Sequence, residues 1–415
     1  MEEVAPNKIG GMIRKTFYSL RTRNFRLYFT GQLISNTGNW LTNVALILLV
    51  LKITGSGLDV GLLAACQYGP ILFLSAYGGA IADRFDKRKM LLISQTLEMA
   101  QSASLAVLAF MPHPSLAWLY ALALLGGIFL AFDNPFRRSF VSEMVPSEDI
   151  PNAVVLYSTI VNVSRIFGPA LAGLLATTLG FGWCFTIDAA SYIAVIVGII
   201  MMRPAELFRR PPKPRAEAKG EVREGFRYIL STPFLWISFA MLAAIGTLAY
   251  NFSVTLPLFV TDTLHGSGEV FTILYSTFSL GAVVSALAMA HRSSIKMRHI
   301  VTGAAALGVT MLFLSFSPDV WIAAIAVFLV GVGSMLYMNP TTTIVQVGAK
   351  PEMHGRVLAM QMVFLAGTSV VGGPFSGWLA DALGGRAPLV LGAVVCLLAA
   401  AFGYYAARRY AIMKG

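Results

Sequence analysis

Twelve apolar stretches follow one another along this 415-residue chain, each long enough to cross a bilayer and most separated from the next by a short polar segment. Inside lipid every backbone N–H and C=O must find a partner within the protein, so only helices and closed barrels span, and stretches of this length select helices. The pattern predicts helices over 25–51, 58–82, 90–111, 117–137, 153–178 and 183–203, then 233–260, 269–290, 300–317, 320–343, 356–380 and 387–407. Charged residues make up only 12% of the chain, about half the ~25% usual in soluble proteins. The expected class is an all-α membrane protein with twelve transmembrane helices.

The chain also repeats itself at a spacing of 205. Gly126 matches Gly331, Asn134-Pro135 matches Asn339-Pro340, Pro146 matches Pro351, and Gly168-Pro169 matches Gly373-Pro374. Proline and glycine fix where a membrane helix bends or lets another approach, so shared spacing implies two copies of one helical frame. Two pseudo-symmetric six-helix bundles are therefore expected over 25–203 and 233–407. A basic amphipathic tail (1–24), a linker (204–232) and a C-terminal tail (408–415) complete the division.

Charge sets the orientation. Of 31 Lys and Arg, all but Lys52, Arg165 and Arg386 fall in the tails or in even-numbered loops, which by the positive-inside bias makes both termini cytoplasmic. The net charge of +11 is explained by those loops and calls for no nucleic-acid partner. Ile9, Ile13, Phe17 and Leu20 share one face of the N-terminal tail, which suits the membrane surface. In the linker, Pro211-Pro212-Lys213-Pro214 precedes a short amphipathic helix with Val222, Phe226, Ile229 and Leu230 on one side. The three cysteines have no metal-ligand spacing, the five histidines fall in loops, and no phosphate loop is present, so no metal, cofactor or enzymatic activity is expected.

Polar and ionisable residues inside the spans carry the functional expectations. Gln32, Asn36, Asn39 and Asn43 stack on one face of the first helix and read as the wall of a central cavity, with Trp40 offset and Tyr250 and Asn251 facing them from the seventh helix. Interhelical hydrogen bonding without substrate contact is the alternative. Glu98, Asp133, Arg165 and Asp188 are the ionisable residues within spans, all in the first half, and at the repeat offset Asp133 becomes Met338 and Arg165 becomes Val370. Charges in the hydrocarbon are costly and tend to be functional. The expected scheme loads a proton at Asp188, releases it from Asp133 or Glu98, and holds the ionised carboxylate with Arg165. Asp133 could instead pair with Arg137 one turn on.

Between the second and third helices runs Gly79-Ala80-Ile81-Ala82-Asp83-Arg84-Phe85-Asp86-Lys87-Arg88-Lys89, which resembles the signature loop of the major facilitator superfamily. That signature has Gly, three residues, Asp-Arg, two residues, then paired basic residues; Asp86 departs from it where Gly is usual. The resemblance implies a gating latch of Gly79, Asp83, Arg84 and Arg88. In it Asp83 meets the start of the eleventh helix near Arg356 and Arg137 or Arg138 after the fourth when the cytoplasmic side is closed. Gly168, Pro169 and Gly173, matched by Gly373, Pro374 and Gly377, resemble the helix-bend motif carried mainly by the superfamily's exporters. Asn134-Pro135-Phe136-Arg137-Arg138, Glu143-Met144-Val145-Pro146 and Arg23-Asn24-Phe25-Arg26-Leu27 resemble the branch containing the enterobactin exporter and the macrolide efflux proteins. The resemblance implies a monomeric, proton-coupled exporter of a siderophore or drug-like small molecule in the bacterial cytoplasmic membrane, working by alternating access. Lipid transfer between leaflets is the alternative within transport, and a non-transporting membrane sensor the alternative outside it.

Overall fold

A computed structural model describes residues 17–82, 85–208, 221–289, 295–350 and 353–410. The first half contains α1 (Arg23–Thr54), α2 (Gly57–Ala82), α3 (Lys87–Phe110), α4 (Leu116–Val141), α5 (Ile150–Thr178) and α6 (Phe181–Ile200). A short linker helix, α7 (Glu221–Ser231), precedes the second half. There the seventh span is α8 (Pro233–Leu248) followed by α9 (Phe252–Leu258). It is succeeded by α10 (Gly268–Met289), α11 (Met297–Ser315), α12 (Val320–Gly348), α13 (His354–Leu383) and α14 (Ala387–Arg409). Among the described residues eleven helical segments have the length and hydropathy of membrane spans. The twelfth, α3, is less apolar because Ser94, Gln95, Glu98, Gln101 and Ser102 lie along it.

Helix pairing repeats between the halves. In the first, α1 packs on α5 and α6, α2 on α4, and α3 on α4 and α6; in the second, α8 packs on α13 and α14, α10 on α12, and α11 on α12 and α14. The halves meet along two seams, α2 with α13 and α5 with α10, which exchange under the same pseudo-symmetry. The packing glycines shift the repeat by one residue. Gly127 approaches the α2 backbone at Gln67 as Gly331 approaches α10 at Phe278; Gly168 approaches α1 as Gly372 approaches α8; Gly173 meets α10 as Gly377 meets α2. Each pair is 204 apart, whereas the matched prolines are 205 apart. One residue rotates a helical position by about 100°, so the prolines occupy the same level but different faces in the two halves.

Local chemistry explains most boundaries. Asp86 caps α3 by accepting from the Lys89 amide at 3.1 Å, which gives the departure from Gly in the signature loop a structural use. Asn24 exchanges two hydrogen bonds with the Arg203 backbone, both at 3.0 Å, tying the start of α1 to the end of α6. Several boundaries differ from expectation by three to five residues, α12 most, ending at Gly348 rather than 343. The fourth helix runs to Val141 rather than 137, so Arg137 lies inside the span, and the third starts at Lys87. The seventh span is broken at Tyr250 and Asn251; the Ile245 carbonyl accepts from both Ala249 N at 2.8 Å and Tyr250 N at 2.9 Å, and the Thr247 carbonyl accepts from Asn251 Nδ2 at 2.7 Å, so side chain and backbone share the acceptors near the break.

The amphipathic elements are partly as expected. Residues 1–16 lie outside the described residues, while Ser19 is buried against α5 with its hydroxyl 2.8 Å from Asn152 Oδ1. In α7, Ile229 is buried but Phe226 and Leu230 are exposed, so these three do not share one buried face.

Candidate functional site

The most concentrated chemistry lies inside the first half, where Arg137 of α4 is buried among acceptors from three helices. Its Nε pairs with Asp133 Oδ2 one turn earlier, its Nη1 donates to Gln32 Oε1 of α1 at 2.6 Å, and its Nη2 meets Glu98 Oε2 of α3 at 3.2 Å. Asp133 Oδ1 also accepts from Ser94 Oγ at 2.5 Å and Gln95 Nε2 at 3.1 Å, and Gln95 reaches Glu98 Oε2 at 3.0 Å. Asn36 donates to Gln32 Oε1 at 2.8 Å. Burying ions is costly unless each is paired and hydrogen-bonded, and here three helices supply the partners. Glu98 Oε1, Gln32 Nε2 and Gln95 Oε1 are the exceptions, buried atoms with no hydrogen-bond partner among the described residues.

Asp188 of α6 occupies a separate niche. It accepts from Ser102 Oγ at 2.7 Å, and no cation pairs with it among the described residues. Gly38 makes room for it, since a Cβ there would sit 2.5 Å from Asp188 Oδ1. Glu98, Asp188 and Arg137 line one cavity of about 290 Å³ together with Asn36, Asn39, Asn43 and Gln101.

A second cavity of about 600 Å³ lies between the halves. Its walls include Arg138 and Arg165 from the first half and Tyr250, Asn251, Phe252 and Tyr275 from the second. Trp40, Tyr68 and Asn134 line both cavities, forming the partition between them.

Three expectations change. Arg165 holds no carboxylate among the described residues; its guanidinium lies 5.4 Å from the centre of the Trp40 ring, because its level on α5 faces the cavity between the halves. Arg137 holds the carboxylates instead. It is not a loop residue available to a latch, because α4 continues through Pro135 and carries it inward. The amide stripe does not line one central cavity: Gln32 is consumed by the ion cluster, Asn36, Asn39 and Asn43 face the first-half cavity, and Tyr250 and Asn251 face the other.

Asp83 and Arg84 lie outside the described residues, as do the side chains around Gly79. Arg88 donates to the carbonyls of Ile199 and Ile200, both at 3.0 Å, where a cation suits a helix C-terminus. Lys87 pairs with Glu143 at 2.5 Å, and Arg356 pairs with Glu224 of α7 at 2.7 Å.

At the opposite end of the bundle the seam is closed by Asp381 of α13. Its carboxylate accepts from Gly57 N at 2.6 Å, Leu58 N at 2.9 Å and Ser56 Oγ at 3.0 Å, capping α2 across the seam. Just beneath, Gly377 lies against Gly57, and Gly61 against Gly373 and Pro374. Gly377-Trp378-Leu379-Ala380-Asp381 has the same order of Gly, Ala and Asp as Gly79-Ala80-Ile81-Ala82-Asp83, a signal that reading only the known loop overlooks. The polar face of α3 was equally visible: Ser94, Gln95, Glu98, Gln101 and Ser102 recur at helical spacing.

Comparison with known proteins fits this geometry. Residues 14–411 match the family model described as transmembrane secretion effector. The enterobactin exporter EntS of Shigella boydii serotype 18 is 27% identical over 263 residues, covering 63% of this chain and 62% of that exporter. EntS of Escherichia coli O1:K1 gives the same identity and coverage. The match thus spans less than two thirds of those relatives. Among solved structures, a bacterial homologue of the human lysosomal transporter Spinster superposes with a TM-score of 0.71 at 15% identity, over 94% of this chain and 98% of that one. A POT family transporter in complex with 5-aminolevulinic acid gives 0.76 at 12% identity, over 94% and 96%. These establish the fold as that of major facilitator transporters, and the matched proteins are transporters, not enzymes.

Proposed function

We propose, since the chain belongs to the transmembrane secretion effector family of the major facilitator superfamily, that it is a proton-coupled exporter of a small amphipathic solute in the bacterial cytoplasmic membrane. The carrying observation is the buried cluster of Asp133, Glu98 and Arg137, one wall away from a solute-sized cavity between the bundles. Two carboxylates against one guanidinium leave the cluster one charge short of neutral, a deficit that one proton fills. Glu98 Oε1 can take that proton without disturbing the bonds made by Oε2. Asp188, on the same cavity, is the loading acid from the outer side, and the Asp133–Glu98 pair releases inward. Arg137 takes the role that the sequence alone assigned to Arg165.

Both termini are cytoplasmic in this reading, the 25–203 and 233–407 bundles rock against each other, and the protein works as a monomer. The Asp381 end is then the outer one, closed across the α2–α13 seam. Asp83 performs the equivalent latching at the cytoplasmic end. Because Asp381 is largely exposed, its capping contributes only about 1 kcal/mol. Asp381→Ala should therefore raise the outward-open population about fivefold, measured by thiol-reagent labelling of a cysteine introduced at Ser253 on the cavity wall. Asp83→Asn should change switching with ligand binding kept. Unchanged labelling in Asp381→Ala rejects the outer latch, and lost binding in Asp83→Asn rejects the inner one.

The function itself is tested by reconstituting the protein in liposomes with an imposed pH gradient and an internal pH dye, then presenting siderophores, macrolides and lysolipids. Substrate-dependent proton movement is the expected result. A substrate that crosses without moving protons would return Glu98, Asp133 and Asp188 to structural roles.

A further inference from the structure

Among the described residues, the lining of the cavity between the bundles contains two arginines and no carboxylate. Neither Arg138 nor Arg165 makes an ion pair among the described residues, and Arg165 Nε is buried without a hydrogen-bond partner. A buried guanidinium nitrogen left unsatisfied is costly, and a ligand offering an acceptor removes that cost. Most of the remaining wall is aromatic or apolar, including Trp40, Tyr68, Phe252 and Tyr275 with Met362 and Val363 from α13, and Asn134, Asn251, Ser253 and Ser369 add neutral polar groups. The volume lies within the range of small-molecule sites. At the repeat offset Arg138 becomes Thr343 and Arg165 becomes Val370, so the positive charge comes from one bundle only.

Resting on the reading of this cavity as the transport site, we infer that it selects aromatic organic anions. The acidic group lies against Arg138 and Arg165 of the first bundle and the apolar body against the second. Planar guanidinium groups suit carboxylate and related oxyanions through paired N–H donors. A cationic amphiphile would face two uncompensated positive charges in a partly desolvated site, so the arrangement discriminates by repulsion as well as attraction. Arg165 against Trp40 also places the bound anion at the partition shared with the proton cavity. Exporting a monoanion while admitting one proton moves two charges in the same sense per cycle, so an inside-negative potential should accelerate it.

The test compares three probes of one shape on the purified full chain: 2-naphthoate, 2-naphthamide and 2-naphthylmethylammonium, followed by calorimetry. The carboxylate should bind about 10- to 100-fold more tightly than the amide, and the ammonium more weakly than either. Arg165→Gln should remove most of the preference for the carboxylate, and Arg165→Lys, which keeps the charge, should restore part of it. Equal binding of carboxylate and amide, preference for the ammonium, an undiminished preference in Arg165→Gln, or no binding of any probe would overturn the assignment. The liposome assay keeps the two readings apart. A neutral or cationic substrate that drives proton movement would leave export standing without anion selectivity, whereas anion preference in a protein that moves no protons would leave selectivity standing without antiport.

Discussion

Arg137→Ala should abolish proton-coupled transport and destabilise the protein more than any other single replacement in the first bundle. Arg137 is buried, and its guanidinium is the common partner of Asp133, Glu98 and Gln32. Removing one member of a buried ionic network strands the others, at a cost of about 3–5 kcal/mol. The asymmetry supplies a control. The triple variant Arg137→Ala, Asp133→Asn, Glu98→Gln has no charge left to strand, so its thermal midpoint in detergent should recover while coupled flux in liposomes stays absent. A midpoint within a degree of wild type in the single variant would mean the cluster is not the ionic network described here. Coupled flux in the triple variant would place the proton site elsewhere.

Gly377→Leu should stop the transport cycle by another route, preventing closure at the Asp381 end. A Cβ at Gly377 would collide with the carbonyl of Gly57 and sit 2.9 Å from Leu58 N. These are backbone atoms of the facing helix and cannot rotate aside as a side chain can. Overpacking costs about 1–3 kcal/mol in ordinary cores, which converts to about 5- to 150-fold in a two-state population, and a backbone obstacle lies at the upper end. The steric effect should therefore exceed loss of the Asp381 cap, and Gly377→Ala should fall between. Spin labels at Leu179 and Leu383, both exposed on opposite halves, should report a longer separation in Gly377→Leu than in the parent with its three cysteines replaced. An unchanged distance distribution would reject the seam as the barrier to closure.

Much of this arrangement was legible along the chain. Lipid leaves the backbone few options, so length and hydropathy located the spans, although α3 falls short in hydropathy because of its polar face. The duplicated glycines and prolines announced two halves, and among the described residues the charges buried within helices, Glu98, Asp133, Arg137 and Asp188, all belong to the first. Spacing along α1 correctly put Gln32, Asn36, Asn39 and Asn43 on one side of that helix. It could not say that this side faces α3, α4 and α6 rather than the other bundle, because the azimuth of a single helix carries no information about its neighbour.

The sequence alone therefore determined the class, the number of spans and the duplication, since each follows from the cost of placing polar groups in hydrocarbon, but its list of in-span charges left out Arg137, which the structure buries. Tertiary structure decided the partnerships. Charges at Arg137-Arg138 suggested the end of a helix, yet α4 continues through Pro135 and turns Arg137 inward to Asp133 and Glu98 while Arg138 faces the cavity between the bundles. Arg165, near mid-depth, had acids available on either side by height, and only packing sent it to Trp40. Close approach of glycine backbones set the repeat at 204, because contact fixes which face of a helix meets its neighbour, whereas matched prolines fix only its level. Height along a membrane helix is encoded locally; the direction a side chain faces acquires meaning only when the other helices are in place.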